Sequence, residues 1–309
     1  MKKSFCLALL LFFSGYTFSQ TAIPPHQWSV TLKVVDENGT PVFGAHASVG
    51  YFANSQPASF DGMTDSNGIF SASYSAKSDL NELGFEASKS GFYTTRMGRM
   101  LSPPYDPAKW NIAQPLTLKK IDKPTAMYAK RYTLGLRLPE YKKRIGYDLE
   151  VGDWVGPYGK GVSSDIFFEK DYFNVSSREY YSKITLSFPK AGDGIQLYTV
   201  PDTGMESGLR SSHEAPTDGY QPELTRETSA QPGQPSKFEY DPNRIYFFRV
   251  RTVLDNQGNV VSAHYGKIYG DFMQFSYYLN PTPNDRNIEF NPKENLIGSL
   301  SSLQQVTAP

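Results

Sequence analysis

The stretch "WSVTLKVVDENGTPVFGAHASVGYF", Trp28 to Phe52, decides the fold. Val30, Leu32 and Val34 alternate with Thr31, Lys33 and Val35, and a period of two predicts a strand. Asp36-Glu37-Asn38-Gly39 follows as a turn, because Asn and Gly accept positive φ cheaply. Pro41 restarts the chain. Ala45, Ala47, Val49 and Tyr51 then mark one face of a second strand.

The same grammar continues outward. "GMTDSNGIFSASYSA", Gly62 to Ala76, reads as a hairpin turning at Asp65-Ser66-Asn67-Gly68. "LGFEASKSGFYTTR", Leu83 to Arg96, reads as a further strand with a turn at Gly91. Short strands at this spacing predict a small antiparallel β-sandwich over residues 28–120.

"VVDENGTPVFGAHASV", "MTDSNGIFSAS" and "FEASKSGFYT" together carry a resemblance. Asp36, Gly39, Pro41, Gly44 and Ala45 form its first block. Thr64, Asp65 and Gly68 form its second, and Gly91 with Phe92 its last. This pattern is similar to the carboxypeptidase regulatory-like domain family, whose fold is a transthyretin-like β-sandwich. The resemblance implies a non-catalytic spacer or binding module, and it brings no catalytic residue with it. It covers under a third of the chain.

Upstream, "MKKSFCLALLLFFSGYTFSQ" combines Lys2 and Lys3 with an apolar run from Phe5 to Phe13. Thr17 and Ser19 place small residues before Gln20. This predicts a secretory signal over residues 1–19 and a short linker over 20–27. The run is shorter than the roughly 20 residues of a membrane-spanning helix, so no transmembrane anchor is expected after signal removal. The predicted location is secreted, periplasmic or otherwise extracytoplasmic.

Cys6, the single cysteine of the 309 residues, lies inside that leader. A cysteine-free mature chain has no disulfide, no thiolate metal site and no cysteine nucleophile. Charge is balanced at 31 basic and 31 acidic residues. That balance lacks the basic footprint of a nucleic-acid binder. Aromatic residues make up 14%, through 21 Tyr and 20 Phe, and this composition favours strands over helices.

"LKKIDKPTAMYAKR", Leu118 to Arg131, reads as a linker, centred on 121–128, into a second unit at 129–298. Strand patterns recur there in "RYTLGLRLP", "IGYDLEV", "SDIFFE", "SKITLSFP" and "GIQLYTV". "RIYFFRVRTVLDNQGNVVSAHYGKIYG", Arg244 to Gly270, reads as a long hairpin turning at Asp255–Gly258. Phe248, Val250 and Thr252 are expected on one face, and Phe247, Arg249 and Arg251 on the other. The whole chain is therefore predicted to be all-β, a small sandwich followed by a larger antiparallel sandwich or jelly-roll-like domain. The second unit carries no family resemblance.

Two regions break the pattern. Residues 200–242 are polar and rich in Pro, Gly and Ser, and read as a long loop, either a surface excursion or a cover over a ligand. Asn291-Pro292-Lys293-Glu294 reads as a helix start, with Asn as N-cap and Pro at N1. Residues 299–309 are expected to fray.

"GDWVGPYGKGVSSDIFFE", Gly152 to Glu169, is not a phosphate loop. The first glycine should stand at Trp154, Gly161 replaces the hydroxyl residue after Lys160, and no helix follows. A dinucleotide fingerprint fails at Ser164. His26, His46, His213 and His264 form no pair at zinc spacing, and His46 and His264 are expected at the surface. Asp65–Gly68 holds only a fragment of a calcium loop. Ser187-Phe188-Pro189-Lys190 matches Ser-x-x-Lys only formally, because Pro189 breaks the helix that motif needs. Asp165 and Glu169 share a strand face about 13 Å apart, too far for a catalytic pair, and read as solvated charges. No catalytic residue, metal site or cofactor is therefore assigned.

The binding candidates are Trp154 and Tyr158, as core anchors or as an exposed aromatic platform. The stiff loop in "YYLNPTPNDRNIEFNP", Tyr277 to Pro292, adds Asn284, Asp285, Arg286 and Asn287. These side chains either cap backbone or present amides and a guanidinium to a polar ligand such as a glycan. The expected function is a non-enzymatic structural, adhesion or binding role toward an envelope polymer or an extracellular protein. Carbohydrate binding is one alternative. A polymer hydrolase built from loop carboxylates is the other.

Overall fold

The computed structural model describes residues 26–53, 56–76, 82–100, 111–199, 205–239, 241, 243–272 and 274–309. The predicted signal peptide lies outside the described residues. The fold is all-β, and among the described residues no helix is long and apolar enough to cross a membrane.

The first unit contains β1 (His26–Asp36), β2 (His46–Ala53), β3 (Gln56–Met63), β4 (Ile69–Ala76), β5 (Glu82–Ser88), β6 (Phe92–Tyr93), β7 (Thr95–Met100) and β8 (Asn111–Lys120). The second contains β9 (Thr125–Tyr132), β10 (Ile145–Asp148), β11 (Asp153–Trp154), β12 (Ile166–Ser176), β13 (Glu179–Ser187), β14 (Gly194–Tyr198) and β15 (Met205–Ser207). It continues with β16 (Glu223–Ala230), β17 (Lys237–Phe238), β18 (Ile245–Leu254), β19 (Val260–Asp271), β20 (Gln274–Leu279) and β21 (Phe290–Asn295).

Two sheets face each other in the first unit, in orders β4-β1-β8-β6 and β15-β7-β5-β2-β3. The β1–β8 pair is parallel, and the other pairs of these two sheets are antiparallel. Leu32, Val34, Ala45, Ala47, Val49, Phe85, Leu116 and Leu118 fill the space between them. The alternation read in Trp28–Phe52 thus becomes the inner wall of a sandwich, where burying apolar area stabilises the pairing.

Two six-stranded sheets build the second unit, in orders β11-β10-β12-β13-β16-β17 and β14-β18-β19-β20-β9-β21. Their shared core includes Tyr147, Trp154, Phe168, Leu186, Phe248, Ile268 and Tyr277. The opposite face of the second sheet is also covered. Met127, Tyr269, Tyr278 and Phe290 are buried there, as are Phe247, Ala263 and Tyr265. A sheet buried on both faces is why β18 and β19 read as dense apolar runs rather than as clean alternation.

One local device recurs three times. Asp36 Oδ1 accepts the amides of Asn38 and Thr40, at 2.9 and 2.8 Å. Asp65 does the same for Asn67 and Ile69, and Asp255 for Gln257 and Asn259. Each turn ends in a glycine at positive φ: Gly39 at 79°, Gly68 at 73° and Gly258 at 85°. The Asp-x-x-Gly spacing works because the carboxylate replaces two lost backbone acceptors while glycine takes the left-handed conformation without strain.

The structure departs from the sequence reading in several places. Residues 200–242 are not one loop: β15, β16 and β17 lie inside them, and β16 pairs with β13 over eight residues. Pro and Gly mark the turns between these strands, which hid the short polar strands themselves. The expected linker 121–128 already contains the start of β9, while residues 133–139, read as strand, hold none.

Asn291–Glu294 is strand, not helix. Phe290 and Asn295 sit beside Thr125 and Met127 of β9, and that pairing overrides the N-cap signal. The 299–309 segment is packed rather than frayed. The amide of Arg131 donates to Gln304 O, the Tyr278 hydroxyl donates to Ala308 O, and Val306 is buried.

The face assignment on β18 also changes. The register shifts after Val250, and Arg251 takes a φ of 57°. That bulge sends Arg251 across to Asp165 beside the facing sheet, whereas Arg249 donates to Gly192 O on its own side.

Candidate functional site

Trp154 is a core residue. It is T-shaped to Tyr147 and Phe168, with ring centroids at 5.2 and 5.7 Å. Tyr158 closes the same loop over it: its hydroxyl bonds Glu140 and Lys143, and the Lys143 ammonium lies over its ring. These two residues form no exposed platform.

The Asn284–Asn287 loop is engaged along its length. Asn284, at a φ of 62°, accepts from the Ala263 amide and donates to Val261 O, both at 3.0 Å. Short side chains of this kind tolerate the left-handed region because they bond locally. Asp285 accepts the Asn287 amide and faces Lys123. Burial alone would raise its carboxyl, but the Asn287 amide, Asn280 and Lys123 together hold it below the ordinary value. Arg286 donates to Ala215 O and pairs with Glu214. Asn287 donates to Lys123 O and Thr125 Oγ1, and accepts from the Glu289 amide. Each side chain ties this loop to a neighbouring segment.

That loop leads to a group the sequence reading passed over as one of a series. Glu289 is fully buried where the two units meet. Its Oε1 accepts from the Tyr93 hydroxyl at 2.6 Å and the Asp122 amide at 3.1 Å. Its Oε2 accepts from the Lys123 amide at 2.8 Å and faces His213 Nδ1 at 3.2 Å. The other nitrogen of His213 lies 3.1 Å from Glu37 of the first unit. Burial by itself would raise the Glu289 carboxyl, but Tyr93, the two amides and His213 outweigh it and hold it below the ordinary carboxylate value.

A second buried cluster lies beside the first. The Lys119 ammonium donates to Ser211 O at 2.7 Å. The fully buried Lys267 reaches Ser211 Oγ at 3.4 Å, and that hydroxyl lies 3.1 Å from Tyr269 OH. Burial pulls the Lys267 ammonium below its ordinary value, although Tyr269 and Glu289 oppose it. A serine beside a lysine of lowered pKa is the chemistry of an activated nucleophile. Here Ser211 and Lys267 are both 0% exposed, so no substrate reaches them. β15 completes the junction by pairing with β7, so a strand of the second unit edges a sheet of the first.

The carboxylates of the second unit are occupied too. Asp165 is a correction to the sequence reading: it is 2% exposed and takes a two-pronged bond from Arg251, at 2.7 and 3.0 Å. Burial raises its carboxyl against the pull of Arg251. Asp148, close enough to add to that rise, accepts four backbone amides, from Glu150, Val151, Val162 and Ser163. The oxygens of both acids are engaged, those of Asp165 by Arg251 and the Leu149 amide and those of Asp148 by amides of the loop that follows it. One further correction concerns His264, expected at the surface: it is half-buried, with a buried Nδ1 that has no partner among the described residues. No group of three or more metal-ligating side chains occurs among the described residues.

Two concave surfaces stand out among the described residues. One is a groove of about 420 Å³ over Gly50, Gly84 and Gly98, which stand opposite one another on β2, β5 and β7. The other is an open cleft of about 320 Å³ beside β9, β19, β20 and the C-terminal segment, lined by Arg131, Arg210, Tyr269 and Tyr278 among others.

No family model matches the chain, and no curated protein matches it. Among solved structures, the shaft pilin SpaA from Lactobacillus rhamnosus GG matches at 12% identity over 55% of this chain and 90% of that one, with a TM-score of 0.25. A streptococcal ancillary pilin matches at 11% identity over 85% of this chain and 60% of that one, with a TM-score of 0.24. A second variant of the shaft pilin matches at 11% identity over 75% and 89%, with a TM-score of 0.23. Superposition at this level assigns no family.

Proposed function

We propose that this chain is a non-enzymatic, extracytoplasmic β-protein with a structural or adhesive role in the cell envelope or extracellular space. The observation that carries the reading is the use made of its reactive side chains. Glu289, Lys267, Ser211, Asp148 and Asp165 are buried and bonded to the chain itself. They join two sandwiches and hold a loop. Preorganised donors and acids raise reaction rates only where a substrate touches them. The first unit is proposed to be a carboxypeptidase regulatory-like domain. Its support is that Asp36, Gly39, Asp65 and Gly68, which carry the resemblance, build two of the three matching turns.

The test uses residues 20–309, incubated with isolated envelope and with a panel of envelope polymers. Association is read by cosedimentation and native electrophoresis, and turnover by release of new reducing ends or amines. Retention without product is the expected result. Product formation that disappears in Asp148→Asn or Asp165→Asn overturns the reading.

A further inference from the structure

We propose that the cleft beside β9 and the C-terminal segment binds a small ligand through a carboxylate or phosphate group. Arg131 and Arg210 both line it, and no Asp or Glu does. This asymmetry is local, because the chain as a whole carries equal numbers of acidic and basic residues.

The two arginines are held differently. Arg210 is already placed: one guanidinium nitrogen donates to Asn243 O at 2.8 Å, and the group stacks 5.1 Å from the Tyr269 ring centre. Its other N–H groups remain for a ligand. Arg131 makes no side-chain hydrogen bond or ion pair among the described residues, although its backbone is fixed by Gln304 and by pairing with Ser276. The two partners are thus an oriented guanidinium and an unspent one.

A planar guanidinium matches the oxygens of a carboxylate or phosphate in pairs. Ser276 and Thr307 border the same space and offer hydroxyl groups to the body of a ligand. The volume lies at the small end of ligand pockets, which run from roughly 300 to 1,000 Å³. The binding site therefore suits a single acidic ring or short chain end.

Calorimetric titration of residues 20–309 with glucuronate, glucose 6-phosphate and glucose tests this, with Arg131→Gln and Arg210→Gln as variants and thermal melting as the folding control. The expected result is saturable binding of at least one anion and none of glucose. Arg131→Gln should weaken it about tenfold or more while the melting curve is unchanged, the loss expected when a charge-assisted bond is removed. The preferred anion tells carboxylate from phosphate. Equal binding of glucose, no saturable binding of either anion, or anion binding that survives Arg131→Gln overturns the proposal. If Arg210→Gln does not fold, Arg131→Gln alone decides. Tyr269 borders both this cleft and the junction, but the test varies only Arg131 and Arg210, so its failure leaves the structural role untouched.

Discussion

The hydroxyl of Tyr93 donates to Glu289 across 196 residues of chain, at 2.6 Å. Tyr93 lies on β6 of the first unit, and Glu289 immediately precedes β21 of the second. The bond therefore couples two separately built cores. Removing the acceptor while keeping its size, as in Glu289→Gln, places an amide NH₂ against the amides of Asp122 and Lys123. A buried donor left without a partner costs about 1–3 kcal/mol. Urea unfolding of Glu289→Gln should show a loss of at least that size. Tyr93→Phe, which removes one of four donors, should cost about 1 kcal/mol. A shift below the fitting error for Glu289→Gln would mean the junction contributes nothing.

Acid should weaken the same junction, and the sign follows from the direction of the shift. Glu289 is held below its ordinary carboxylate value in the folded chain. The folded state therefore binds fewer protons than the unfolded one, and stability falls as the pH falls through that window. The contribution is present above the unfolded value of about 4.5 and is lost as pH drops below it through the folded value. His264 acts at higher pH. Burial is the largest cause that lowers it from 6.5, with Arg251 adding to the effect. A neutral buried imidazole stabilises above that value and loses its contribution as pH falls below it. Unfolding midpoints measured from pH 8 to 3 should fall in both windows. The Glu289→Gln variant should keep the upper loss and show a smaller lower one.

Glycines separate two kinds of constraint. A side chain at Gly266 would run into the Phe248 ring and the Tyr278 carbonyl. Gly84 has only Gly50 O near a new methyl group, at 4.0 Å. Gly266→Ala should destabilise by about 1–3 kcal/mol or more through overpacking. Gly84→Ala should stabilise by about 0.5–1 kcal/mol, because the unfolded chain loses freedom. Thermal melts of the two variants should move in opposite directions. Movement in the same direction would show that one of the two strand faces is misassigned.

The first sandwich was legible because its signals are local. Asp36 and Gly39 lie three positions apart within one turn, and Val30 to Val34 declare a face by alternation. The junction was not legible. Glu289 looked like another charge in a polar loop, since nothing near it in sequence announces Tyr93 or His213. Asp165 was misread for the same reason: its partner, Arg251, is 86 residues away and reaches it only because a bulge reverses the alternation of β18. Short polar strands such as β16 escape periodicity altogether, because Glu223 to Ala230 is specified by pairing with β13 rather than by a buried stripe of its own.

The Arg251 pair gives the sharpest separation of structure from chemistry. Arg251 meets Asp165 in two bonds, pairs with Glu150, and lies 3.8 Å from Asp148. The Asp165 and Asp148 side chains are 1% and 4% exposed. Arg251→Met strands those carboxylates in a desolvated pocket and should cost about 3–5 kcal/mol. Adding Asp165→Asn removes the stranded charge, so the double variant should lose less than the sum of the two single ones. Denaturant midpoints for the four proteins of this cycle give the coupling directly. A purely structural pair predicts a large coupling with no polymer turnover by any of the four, including the parent. A catalytic pair predicts turnover by the parent that Asp165→Asn abolishes at little cost in stability.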